Sequence, residues 1–205
     1  MTAPDRRLPA WRALPATLLL ACSPPPAEGS TTEALARSVD ELRHAVGLWN
    51  VTTTQFKDDG TVAQKVEGTY QFDWVVTDRV LTGRSSIPAL GQTSGILFYV
   101  NERRSTVEMV SVGADGHLWV MTGPAGGDSR MTPPTPMSDG SRMQLRFTRF
   151  NVAPGCFESR MEVSTDGGAN WRAGNHQRFV RSTSTGESTG GLRYRKPVLP
   201  YIPLT

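Results

Sequence analysis

The apolar residues of this chain change period once. Leu35, Val39, Leu42 and Val46 recur at helical spacing and form one stripe, and Ser30-Thr31-Thr32-Glu33 fits a capping box. The pattern predicts a short helix over 31–45, with Gly47 as its C-terminal cap. From Trp49 onward the period is two. Trp49, Val51 and Thr53 alternate with Asn50, Thr52 and Thr54. Tyr70, Phe72, Trp74 and Val76 share one face, the clearest alternation in the protein. Shorter runs follow at 80–83, 96–100, 106–112 and 117–122. Met143, Leu145 and Phe147 alternate again, as do Phe157, Ser159, Met161 and Val163, and 171–180 is the last run.

Turn residues separate these runs: Lys57-Asp58-Asp59-Gly60, Thr77-Asp78, Pro88 to Gly91, Ala114-Asp115-Gly116 and Asn151 to Gly155. Residues 123–140 are rich in Gly, Pro, Ser and Thr and read as one long loop. Regularly spaced short strands favour a closed all-β domain. The expected fold is an antiparallel β-barrel of about 8–10 strands, with the short helix plugging or flanking it.

Composition places this domain inside longer tails. Hydrophobic residues make up 38% of the chain, a low value caused by Pro/Gly/Ser-rich stretches at both ends and in the middle. What remains between about residues 46 and 181 suffices for one core. The expected organisation is a signal peptide over 1–21, a flexible tether over 22–30, the helix and barrel over 31–181, and a disordered linker and Pro-rich tail over 182–205.

The leader rests on Arg6, Arg7 and Arg12 followed by a short apolar run ending at Ala21. That run is too short to span a bilayer, which needs about 20 apolar residues. Leu19-Leu20-Ala21-Cys22 resembles the lipobox of bacterial lipoproteins. The resemblance implies lipidation of Cys22 and anchoring in the cell envelope, facing the periplasm. Removing Arg6, Arg7, Arg12 and Asp5 with the leader takes the net charge from +3 to +1. Scattered arginines interleaved with acids then exclude a basic nucleic-acid surface.

Two motifs carry a further resemblance. Gly47-Leu48-Trp49 is similar to the G-x-W that opens the first strand of lipocalins and related calycin barrels. The resemblance implies that Trp49 closes one barrel end beneath an arginine of the last strand, Arg178 or Arg181. The span from Val46 to Arg181 also resembles a bacterial lipocalin-like family of unknown function, with Asp78 standing where that family has the first glycine of a turn. The second motif is Ser164-Thr165-Asp166-Gly167-Gly168-Ala169-Asn170-Trp171, which resembles the Asp-box of sialidase propellers. It occurs once, so Ser164, Asp166, Gly168 and Trp171 read as a structural hairpin rather than a propeller blade.

Candidate chemistry is sparse. His44 lies at the helix end, where a charged imidazole would favour the dipole. His117 begins a strand, and neither His44, His117 nor His176 has a second ligand at metal spacing, so no metal is expected. A haem-binding barrel with His176 as axial ligand, similar to nitrobindin-type proteins, is the sharp alternative to structural histidines. Asp58/Asp59 reads as a turn and Glu158/Glu162 as a solvated strand face. Cys156 follows a turn and has no adjacent cation to activate it.

The aromatic set is richer. Trp49, Tyr70, Trp74, Phe98, Trp119, Phe147 and Phe157 either pack a small barrel solid or line a ligand cavity. The expected function is binding of a small apolar or amphipathic ligand by an exported barrel. The alternatives are an envelope hydrolase or isomerase at the barrel mouth, and a structural lipoprotein acting through its outer face or the 123–140 loop. No cofactor and no nucleic-acid partner are expected, and membrane contact is expected through the lipid anchor only.

Overall fold

A computed structural model describes residues 28–183, apart from Asp115 and Ser138. Cys22, the leader, most of the tether and the tail from residue 184 onward lie outside the described residues.

Among the described residues one α-helix precedes eleven strands. Helix α1 spans Glu28–Ala45. The strands are β1 (Gly47–Phe56), β2 (Val62–Val76), β3 (Val80–Ile87), β4 (Gln92–Asn101), β5 (Thr106–Gly113), β6 (Leu118–Pro124), β7 (Ser129–Met131), β8 (Thr135–Pro136), β9 (Arg142–Ala153), β10 (Cys156–Ser164) and β11 (Arg172–Arg181). Each strand from β1 to β6 pairs antiparallel with the next; β7 then pairs with β9, β9 with β10, β10 with β11, and β11 with β1. Ten strands thereby close an antiparallel barrel, and β8 adds a two-residue flank to β9. Closure leaves the barrel strands without a free edge, which removes the template for edge-to-edge association.

The period-two pattern places its apolar set inside. Trp49, Val51, Phe72, Leu81, Phe98, Val100, Val107, Met109, Met121, Phe157 and Phe179 form one buried cluster, and Leu42 of α1 joins it. The helix plugs one end of the barrel. Inward positions at the other end, such as Ser94, Met143, Val163 and Asn175, are only half-buried.

Two expectations are corrected at the helix. It starts at Glu28 rather than residue 31, so Ser30 lies inside it and does not cap it. Gly47 is not a helix cap either; it opens β1 with φ +116°. The helix C-terminus is satisfied from the barrel instead. Trp49 Nε1 donates to Ala45 O at 2.7 Å. Arg181 donates from Nη1 to Val46 O at 2.7 Å and from Nη2 to His44 O at 2.8 Å. The same guanidinium lies 4.3 Å from the Trp49 ring centroid, a contact worth about 0.5–2 kcal/mol. Arg181, not Arg178, is therefore the arginine over Trp49; Arg178 is exposed on the outer face of β11.

The 123–140 segment is also corrected. It contains β7, the short strand that completes the ring, and β8. Composition hid this, because a three-residue strand has too few positions to show a period. Asp78 takes φ +61°, the left-handed conformation that favours glycine. Its carboxylate receives Arg43 of α1 through Nε at 2.9 Å and Nη2 at 2.7 Å, an exposed tie from helix to barrel.

The Asp-box motif is a hairpin between β10 and β11. Ser164 Oγ donates to Asp166 Oδ1 at 2.7 Å and accepts from Gly168 N at 2.8 Å. Asn170 donates its backbone N–H to Asp166 Oδ1 and its side-chain amide to Oδ2. Trp171 Nε1 donates to Gly168 O, and the Arg146 guanidinium covers the indole at 4.2 Å. These bonds, that from the Asn170 backbone foremost, hold the Asp166 carboxyl down to about 2.

A Cβ on Gly47 would sit 2.6 Å from Arg181 Nη1, in a backbone conformation that side chains rarely adopt. Gly47→Ala should therefore cost about 1–3 kcal/mol of unfolding free energy, read from urea denaturation with the slope unchanged.

Candidate functional site

The barrel interior holds a cavity of about 210 Å³. Its wall is built mostly from inward positions of the strands: Tyr70 and Phe72 of β2, Ile96 and Phe98 of β4, Met109 and Ser111 of β5, Trp119 and Met121 of β6. Leu145, Phe147 and Arg149 of β9, Phe157 and Met161 of β10, and Gln177 and Phe179 of β11 complete the ring, with Glu41, Leu42 and Ala45 of α1 as its floor. Gly83 is bare because the Phe72 ring, part of this wall, occupies the space a side chain would take.

Five of the seven aromatic residues expected to line a cavity do so: Tyr70, Phe98, Trp119, Phe147 and Phe157. Trp49 and Trp74 do not. Trp49 is fully buried in the plug beneath Arg181, and Trp74 lies half-buried near the end of β2, opposite Leu81. The wall is not wholly apolar. Gln177 Nε2 donates to the Tyr70 hydroxyl at 3.1 Å and to Thr53 Oγ1 at 3.0 Å, and burial pushes the Tyr70 phenol up from its ordinary value.

The cavity floor carries charges. Arg130 of β7 is 1% exposed and donates from Nη2 to Glu41 Oε2 at 2.6 Å. Its guanidinium lies 5.7 Å from the Phe98 ring and 6.0 Å from the Phe147 ring, both in the wall. Arg149 is 7% exposed and lies 4.9 Å from the Phe157 ring. Its Nη2 donates to His44 Nδ1 at 2.7 Å, and His44 Nε2 lies 3.0 Å from Ala153 O. A carbonyl can only accept, so Nε2 carries the proton and the ring is neutral. Burial first, then the Arg149 and Arg181 charges, depress the His44 pKa; only the bond to Ala153 and the Glu41 charge oppose them. The expectation of a charged His44 serving the helix dipole is thus reversed.

Outside the cavity, Glu41, His44 and Arg149 also border a polar cleft of about 420 Å³ between α1 and the 126–128 segment. Glu41 and Arg149 belong to both spaces and form the partition between them.

None of this floor was named from sequence as binding chemistry. Arg149 was legible in principle, since it continues the inward parity of Met143, Leu145 and Phe147 and puts a cation on a core face. Arg130 and Glu41 gave no such signal; one sits in the segment read as loop and the other on a helix whose rotation only packing sets.

The remaining candidates fall outside the site. His176 alternates out of phase with Gln177 and Phe179, so it faces outward, where Nε2 meets Glu158 Oε2 at 2.7 Å. It cannot serve as an axial ligand within the barrel. Glu162 pairs with Arg146 at 2.8 Å on the same outer surface. Asp59 accepts both the N–H and the hydroxyl of Thr61 within a turn. Cys156 is half-buried at the start of β10. Among the described residues no three His, Cys, Asp or Glu side chains gather as a metal set.

No protein-family model matches the sequence, and no curated protein matches it. Solved structures similar to the chain include Rv2717c from M. tuberculosis, at 14% identity and a TM-score of 0.48, covering 71% of this chain and 97% of that one. The S-type phycobiliprotein lyase CPES from Guillardia theta is similar at 13% identity and a TM-score of 0.45, over 75% and 98% of the two chains. A redesigned β-barrel is similar at 12% identity and a TM-score of 0.38, over 69% and 94%.

The neutral His44 sets a pH dependence. Its folded pKa lies below the ordinary value of about 6.5, so the unfolded chain binds the extra proton first. This contribution is complete above about pH 6.5 and is lost as pH falls toward the folded value. Thermal melts taken from about pH 7.5 to 5 should show a smaller loss of stability in His44→Gln than in the parent protein.

Proposed function

We propose that the barrel binds a small, largely apolar molecule in its interior. The observation that carries this reading is the cavity of about 210 Å³, walled by aromatic and methionine side chains, with the Tyr70–Gln177 pair and the charged floor as its polar points. That pairing of apolar wall and few polar groups is the usual chemistry of a ligand site. The volume is below the roughly 300–1,000 Å³ of drug-sized pockets, so the ligand is small or leaves part of itself outside. Methionines 109, 121 and 161 suit such a wall, because their unbranched side chains adapt to irregular shapes.

Ser111 faces this cavity from β5 opposite Trp119. Ser111→Phe should fill the space and abolish uptake of octan-1-ol, followed by isothermal titration calorimetry. Far-UV circular dichroism should remain that of the parent barrel. Unchanged binding in the filled variant would show that the ligand sits elsewhere.

The same reading places the barrel in the bacterial envelope, tethered through lipid on Cys22. Its support is the lipobox-like Leu19-Leu20-Ala21-Cys22 behind a charged and apolar leader. In a bacterial host, metabolic labelling with an alkyne fatty acid should tag the full chain, and Cys22→Ala should lose the tag and move to the soluble fraction.

A further inference from the structure

The charged floor of the cavity is not balanced. Arg130 and Glu41 neutralise each other through direct contact. Arg149 has no such partner. It is as buried as the core residues around it, and no carboxylate among the described residues lies within ion-pair distance of it. Its side chain's hydrogen bond goes to the neutral His44 ring. Glu41 and Asp128 act on it only from beyond contact, while the Arg130 charge opposes it.

An arginine in this state is costly. Guanidinium does not shed its proton in a protein, so it cannot escape burial by neutralising. Buried charges are normally paired, because desolvation costs several kcal/mol per ion. The deficit extends to Arg130, whose Nε and Nη1 are buried without an acceptor. The floor therefore presents surplus positive charge and surplus donors, and Arg149 is the member that lines the apolar cavity.

We infer that the natural ligand is a small amphipathic carboxylic acid whose carboxylate pairs with Arg149 at the α1 end of the barrel while its apolar body lies against Phe98, Phe147, Phe157 and Met161. This rests on the interior-cavity reading above and names its ligand class. Guanidinium and carboxylate match as a two-point fork, and a charge-assisted bond in a dry site is stronger than a neutral one. Glu41 serves a second purpose: by holding Arg130, it leaves Arg149 as the single open cation. The size of the cavity restricts the acid to a medium-length chain or a single ring.

The test compares two probes of one length, octanoate and octan-1-ol, by isothermal titration calorimetry near neutral pH. The full chain should bind octanoate about tenfold or more tightly than the alcohol, the least that a hydrogen bond to a charged group supplies. Arg149→Met keeps an unbranched, flexible side chain and removes the charge. It should weaken octanoate by at least about tenfold and leave octan-1-ol unchanged or tighter, which also reports an intact barrel. Arg149→Lys should recover part of the preference, as a point charge without the fork. Equal binding of acid and alcohol to the parent protein overturns the inference and leaves the cavity reading standing. Octanoate binding that survives Arg149→Met also overturns it. Failure of both probes to bind overturns the two together. Should Arg149→Met not fold, the parent preference and Arg149→Lys decide the matter.

Discussion

The C-terminus of one helix, held by Trp49 and Arg181, is the joint on which the rest of this barrel depends. A helix ends with carbonyls that have no partner in its own backbone. Here the carbonyls of His44, Ala45 and Val46 receive three donors, one from the first strand and two from the last. The contact does three things at once. It stops α1, it joins β1 to β11 beyond their backbone ladder, and it sets the helix across one end of the barrel. Gly47 is bare because the guanidinium occupies the space a side chain would take. The three residues Gly47, Trp49 and Arg181 are therefore one device rather than three features.

Fixing the helix end also fixes its rotation, and rotation decides which residues face the interior. Leu42 is turned into the apolar cluster, and Glu41 beside it reaches Arg130. Ser38, one turn earlier, accepts from Gly126 N at 2.7 Å and ties the helix to the segment before β7. A buried ion pair is a poor source of stability, since desolvation offsets most of its attraction. Its better-attested use is to choose one arrangement among several. A rotation of α1 that turned Glu41 away would break its buried pair with Arg130, a loss of the kind that costs about 3–5 kcal/mol. The polar floor thus specifies the helix, and the helix closes the floor of the cavity.

The outer surface follows simpler physics. Arg146–Glu162, His176–Glu158 and the Asp-box hairpin lie where water screens charge and local bonds decide geometry. Asp78 shows how a surface position can combine a strained conformation with a side-chain tie. It adopts the left-handed backbone that glycine would take and adds a tie to Arg43 that glycine could not make.

Much of the barrel was written in the period of the chain. Alternation from Trp49 onward identified the strands and their inward faces, because a side chain on a pleated strand has only two directions to point. The Asp-box hairpin was equally legible, since its side-chain bonds join residues within a few positions of one another. Residues 123–140 were not, because a strand of three residues carries no period and β7 exists only by virtue of its partners on both sides. The same reason explains the aromatic residues. Alternation put Trp49 and Trp74 inside with the other five, but only the plugged end of the barrel separates core from cavity wall. The charged floor was the least legible part. Glu41, Arg130 and Arg149 come from a helix and two strands far apart in the chain, and their meaning lies in distances that no local pattern encodes. Sequence alone determined which residues face inward; the tertiary structure decided where the interior is hollow and which of its charges lacks a partner.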